Sequence, residues 1–159
     1  MTADGFLQED FRVLTPEAFE FVLSNELKRA VRSQNFLTLL HLEPTLAGVP
    51  GGGNGERQAV VREIARLISR EVRETDLLSH TEQGRLSVVL LDADLQNALA
   101  VVDRLMARLT HYQFAQPIDI AIGAASCPTH GADPEALRQA AAAHPVHHRG
   151  RSRGQASNQ

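Results

Sequence analysis

Residues 76–94, DLLSHTEQGRLSVVLLDAD, constrain the fold more than any other stretch of the chain. They predict a β-hairpin, with strands near Asp76–His80 and Arg85–Leu91 around a four-residue turn, Thr81-Glu82-Gln83-Gly84. Gly84 supplies the positive φ that such turns often need. Leu86, Val88 and Leu90 point to one side of the second strand, and Ser87, Val89 and Leu91 to the other. A strand that is largely apolar on both faces belongs at the centre of a sheet.

The other elements are placed relative to this hairpin. Thr15-Pro16-Glu17 is a helix start, with a capping hydroxyl, proline at the first helical position and an acid to complement the dipole. This helix is expected to run to about Arg32, with Phe19, Val22, Leu23, Leu27, Ala30 and Val31 as its buried stripe. Phe36–Leu42 reads as a strand, and Thr45–Gly55 as a glycine-rich loop. That loop lacks the Gly-Lys-Ser/Thr of a phosphate-binding loop, so a flexible connector is the favoured reading over a phosphate cradle. A second helix spans Glu56–Val72, its stripe Val60, Val61, Ile64, Leu67, Ile68 and Val72. A third starts at Asp92 or Asp94 and reaches about Tyr112, burying Leu95, Leu99, Val102, Leu105, Met106 and Leu109. A strand over 118–125 and a short helix from Asp133-Pro134-Glu135 to Ala143 complete the order.

With 159 residues, 43% of them hydrophobic, the chain can bury one core. The expected organisation is an N-terminal arm over 1–13, one domain over 14–143 and a disordered tail over 144–159. A net charge of −3 gives no reason to expect a nucleic-acid partner. No apolar run is long enough to span a membrane, and the N-terminus does not read as a signal peptide. The one cysteine, Cys127, excludes an intramolecular disulfide; together these features predict a cytoplasmic protein.

The hairpin, the Arg73-Glu74-Thr75-Asp76 before it and the helix after it resemble the GGDEF domain of diguanylate cyclases. The resemblance extends from Leu14 to Ala143. LTPEAFEFVLSNELKRAVR is similar to the family's first helix, although the G-L-x-N-R insert is missing, and IDIAIGA to its T-x-S-I-G-x-A strand. It implies a single α/β domain of the GGDEF or palm-like type, a central, mostly antiparallel sheet flanked by helices. The five signature positions fall on Glu82-Gln83-Gly84-Arg85-Leu86, of which only Leu86 is a conservative replacement. The family's D-x-D after the first strand is Glu43-Pro44-Thr45 here. Its guanine-reading segment is largely gone, Glu56 being the residue nearest the aspartate that pairs with guanine. The lysine that contacts phosphate in the last helix is absent from AAAAHPVHH.

These departures bear on chemistry. A cyclase joins two GTP molecules across a dimer and needs Mg²⁺ on carboxylates to neutralise charge developing at phosphorus. It also needs a turn without side chains, so that the backbone can approach the phosphates. Glu82 adds bulk and negative charge at that turn, while Gly84 and Arg85 stand where the resemblance places acids. The expectation is therefore no catalytic residue, no metal and no bound cofactor.

One family pattern persists. Arg73 and Asp76 form the R-x-x-D of the inhibitory cyclic di-GMP site, and the arginine that completes it falls on Arg104. Guanidinium forks match phosphate oxygens and guanine N7/O6, and a carboxylate accepts from guanine N–H groups. The alternative is that Arg73 caps a helix and Asp76 opens a strand. His144, His147 and His148 lie within five residues, yet no Cys or carboxylate nearby completes a metal site. His41 reads as a hydrogen-bonded core histidine, and Arg149, Arg151 and Arg153 as a solubilising tail.

Three functions remain open at this stage. The first is a non-catalytic receptor for cyclic di-GMP, acting in a signalling pathway with a protein partner. The second is an interaction or scaffold module that binds no nucleotide, and the third a weak cyclase or GTP-binding domain. A homodimer is compatible with all three.

Overall fold

The computed structural model describes residues 13–46, 54–81 and 83–149. Among them, α1 (Pro16–Ser33), β1 (Leu37–Leu46), α2 (Asn54–Glu71), β2 (Leu77–His80), β3 (Leu86–Leu91), α3 (Leu95–His111), β4 (Ile118–Cys127), α4 (Pro134–Ala143) and β5 (Pro145–Arg149) follow in that order. The strands form one antiparallel sheet in the order β2-β3-β1-β4-β5. From β1 to β4 the chain is a β-α-β-β-α-β unit, whose two crossovers place α2 and α3 on the same face.

The hairpin forms where the sequence places it, and β3 has a neighbour on each side. Leu86, Val88 and Leu90 pack with Ile64 and Ile68 of α2 and Leu105 and Leu109 of α3. Val89 points the other way, into Leu23 and Leu27 of α1 and Leu137 of α4. One strand thus feeds two cores, which is what apolar residues on both faces require. A buried hydroxyl pair joins the central strands: the Thr38 hydroxyl donates to the Ala93 carbonyl (2.8 Å), and its oxygen lies 2.6 Å from that of Ser126.

Helix starts follow their caps. Thr15 Oγ1 accepts from the Ala18 amide, Asp94 Oδ1 from Asn97 and Asp133 Oδ1 from Ala136. Of the two aspartates proposed to start α3, Asp94 does so, while Asp92 takes a positive φ of 57° in the preceding turn.

Four expectations need correction. β1 does not end at Leu42 but runs through Thr45 to Leu46. Beyond Leu42 its one paired strand among the described residues is β4, and there the donor that Pro44 lacks is tolerated. Pro145–Arg149, assigned to a disordered tail, forms β5 on the free edge of β4. Val31 is 51% exposed rather than part of the α1 stripe. At the base of the separate N-terminal arm expected over 1–13, Val13 is fully buried in the core, and Leu14 is bonded to β2 through the Leu78 carbonyl (2.8 Å) and the Ser79 hydroxyl (2.9 Å). Residues 1–12, the glycine-rich stretch 47–53, Glu82 and residues 150–159, with Arg151 and Arg153, lie outside the described residues.

Candidate functional site

Three bonds among the described residues close the hairpin turn. The Thr81 amide donates to the Arg85 carbonyl (2.9 Å), the Gly84 amide to the Thr81 carbonyl (3.0 Å) and the Arg85 amide to Thr81 Oγ1 (3.2 Å). Gly84 has φ +90°, and a Cβ there would lie 3.0 Å from Cδ of Arg57. The Arg57 side chain, from the start of α2, therefore lies against the turn. Gln83 is exposed, and Leu86 is fully buried at the start of β3.

Arg85 reaches back across the sheet. Its Nε donates to Oε2 of Glu43 at 3.2 Å, and both side chains are about half exposed. Positions that the resemblance equates with two metal-binding acids thus hold one carboxylate and one guanidinium, paired with each other. Thr45, the third position, offers a hydroxyl. No group of three His, Cys, Asp or Glu able to hold a metal occurs among the described residues. This donor set does not fit a magnesium ion, which binds through carboxylates and phosphate oxygens and is repelled by a guanidinium.

Beside the turn, where α1 begins and α2 passes, there is a cavity of about 490 Å³. Thr15, Glu17, Gln58, His80, Thr81 and Gln83 line it, and no Lys or Arg among the described residues does. No arginine or lysine among the described lining residues offsets a triphosphate.

The R-x-x-D residues sit in the tight connection from α2 to β2. Asp76 is 6% exposed. Its Oδ2 accepts from the Arg73 amide (2.9 Å) and its Oδ1 from the Leu91 amide (3.0 Å), while its own amide donates to the Arg73 carbonyl (3.0 Å). The carboxylate thus fastens the end of α2 to the end of β3. The side chain of Arg73 is exposed.

Arg104, on α3, is held by α2: its Nε lies 3.5 Å from Glu71 Oε1, and its Nη2 donates to the Glu71 carbonyl at 3.4 Å. Arg108, one turn later, pairs with the other oxygen of Glu71. These contacts fall in an open groove of about 580 Å³ between α2 and α3, lined also by Arg66, Arg70, His111 and Tyr112. Arg73 and Asp76 lie at its α2 end in sequence but are not in its lining.

A polar cluster that the sequence reading missed closes the far end of the groove. The Tyr112 hydroxyl donates to Glu63 Oε1 (2.5 Å) and accepts from Arg66 Nη2 (3.1 Å), and Arg66 also pairs with Glu63. The Tyr112 bond, followed by Arg66, holds the Glu63 carboxyl below its ordinary value, and the same bond raises the Tyr112 phenol. The i,i+3 spacing of Glu63 and Arg66 was the one local signal; the partner 46 residues on from Arg66 had none.

His41 is half-buried on β1. Burial pushes its pKa down, Glu43 pulls it up and Arg85 adds a smaller push down. The hydrogen bond expected of this ring does not occur among the described residues. His144 bonds through Nδ1 to the Ala140 carbonyl (2.7 Å), and His147 and His148 lie on β5. Burial raises the Cys127 thiol.

No family model matches the chain, and no curated protein does. Solved structures do. The GGDEF domain of TpbB (YfiN) from Pseudomonas aeruginosa superposes with a TM-score of 0.70 at 24% identity, over 82% of this chain and 81% of that one. The FimX GGDEF domain, also from Pseudomonas aeruginosa, gives 0.71 at 18% identity, covering 83% and 86%. The GGDEF domain of DgcB from Caulobacter crescentus, in complex with c-di-GMP, gives 0.66 at 12% identity over 87% of each chain. The fold is GGDEF-like: one α/β domain on an antiparallel sheet. No helix among the described residues is long and apolar enough to cross a membrane.

Proposed function

We propose that this domain is a catalytically silent GGDEF-fold signalling module that acts by binding, with cyclic di-GMP as its small ligand. The Glu43–Arg85 ion pair carries the first half of this reading. It sets a fixed positive charge where metal-assisted phosphoryl transfer needs another acid. The second half is supported by Arg73 and Asp76 in their R-x-x-D spacing, by the cationic groove that holds Arg104, and by the cyclic di-GMP complex of DgcB, which shares the fold. Incubation with GTP and Mg²⁺ or Mn²⁺ tests the first half: no cyclic di-GMP should form. Calorimetric titration with cyclic di-GMP tests the second. Saturable binding at micromolar ligand that Arg73→Ala and Arg104→Ala each weaken supports it, and heatless injections exclude it.

A second reading is favoured by one observation. Both Asp76 oxygens already accept backbone amides, and the residue is buried, so its carboxylate serves the fold whether or not a ligand is present. A domain that kept R-x-x-D for this reason alone would be a protein-interaction module that binds no nucleotide.

A further inference from the structure

We infer that the groove between α2 and α3 is a docking site for an acidic segment of a partner protein. The inference stands whether or not the domain binds cyclic di-GMP.

Helical spacing and helix direction build the site together. Arg66 and Arg70 are one turn apart on α2, and Arg104 and Arg108 one turn apart on α3. Glu71 meets Arg104 and Arg108, whereas Glu63 and Arg66 meet Tyr112. As the number rises on one helix it falls on the other, so the helices are antiparallel and their arginine rows face each other. Between the rows, Leu67 and Ala107 supply apolar lining. The groove is therefore a slot with cationic walls and an apolar element, open along its length.

Its charge is not neutralised from within. Four arginines line it against one carboxylate, Glu71, and Glu63 beside it offsets Arg66. Arg70 has no ion-pair partner among the described residues. The slot keeps a net positive charge on a chain whose formal net charge is −3. An anionic partner is thus drawn to this groove and not to the molecule at large.

The arrangement favours a segment over a compact anion such as inorganic phosphate. A single phosphate is gripped where several donors converge on one point. Here the guanidinium groups are spread in two rows, each advancing about 6 Å between arginines four residues apart, since each residue rises about 1.5 Å. Carboxylates on alternate residues of an extended peptide recur at about 6.6 Å, and those at i,i+4 of a helix at about 6 Å. Either matches the rows. Arginine and tyrosine are also the side chains that dominate protein interfaces, because their flat groups pack and hydrogen-bond at once.

The test uses the full chain and a fluorescein-labelled synthetic peptide of alternating glutamate and leucine, read by anisotropy. Saturable, salt-sensitive binding is expected, weakened about tenfold or more by Arg70→Glu with Arg108→Glu. Arg29→Glu on α1, which packs on the opposite face of the sheet, should leave it unchanged. Circular dichroism and the melting temperature show whether the double variant is folded. If it is not, Arg70→Gln alone, at an exposed residue, replaces it with a loss of about threefold or more expected. No saturable binding, equal binding by the folded variant, or equal loss with Arg29→Glu would overturn the proposal. So would tighter, arginine-dependent binding of inorganic polyphosphate, which would make the groove a phosphate site.

Discussion

Arg85 and Glu43 face each other across β3 and β1, guanidinium Nε to carboxylate oxygen at 3.2 Å, at the end of the sheet where the hairpin turns. Both are about half exposed, and an ion pair in water contributes roughly 0–1 kcal/mol. The pair therefore matters more for what it prevents than for what it holds together. Arg85→Ala should shift the melting temperature by no more than about 3 °C, on the scale of about 2–4 °C per kcal/mol for a chain of this length. It should also leave GTP unturned, because Thr45 and Pro44 still supply no second carboxylate. Cyclic di-GMP formation by Arg85→Ala would mean that Arg85 alone silences the site.

Gly123 lies against α4 with no room for a side chain. A Cβ there would lie 1.8 Å from the Ala141 carbonyl oxygen, which is backbone and cannot turn aside. Gly123→Ala must push α4 off β4 and should cost about 3 kcal/mol or more. Thermal melting should show a loss of about 6–12 °C. A melting temperature unchanged from the parent would show that α4 packs differently.

The difference between these two glycines bears on what the sequence discloses. At Gly84 the requirement is local: a tight turn between two apolar strands needs positive φ, and the turn could be read from the sequence. At Gly123 the requirement comes from α4, which is placed by tertiary packing, and the alternating strand around it gives no sign of that. The same division runs through the fold. Helices with caps and stripes were legible, as was the hairpin, because periodicity and capping are local. β5 was not, because His144 to Arg149 acquire their order only by pairing with β4. At the site, the departures at Glu43, Thr45 and Arg85 were legible through the family resemblance. That Arg85 bonds Glu43, and that Asp76 spends its carboxylate on two amides, depended on the folded sheet.

Asp76→Ala should leave the Arg73 and Leu91 amides without their acceptor in a partly buried place. Two unpaired amides cost about 2–4 kcal/mol, and denaturant melts should show it. Asp76→Asn keeps one acceptor and should cost about half as much. Lost ligand binding in Asp76→Ala is therefore no proof of contact, and Arg73→Ala, at an exposed side chain, is the more diagnostic variant. If Asp76→Ala melts like the parent, the fastening role assigned to this carboxylate is wrong.

His41 gives the fold a pH dependence whose sign follows from its burial. Desolvation pushes its folded-state pKa below the ordinary value of 6.5. Between the two values the unfolded chain binds more protons than the folded one, so stability rises with pH across that interval. The contribution is complete above about pH 7 and is lost as the pH falls below about 6.5 and through the folded value. Arg85 strengthens this direction and Glu43 opposes it, both more weakly than one of the other causes at work on the ring: desolvation is the largest. His41→Gln is neutral throughout. Melting temperatures measured between about pH 7.5 and pH 5.5 should therefore fall less steeply in His41→Gln than in the parent, so that the difference between the two curves changes across that interval. Parallel curves would mean that the ring charges as readily in the folded protein as in the unfolded chain, against the desolvation assigned to it here.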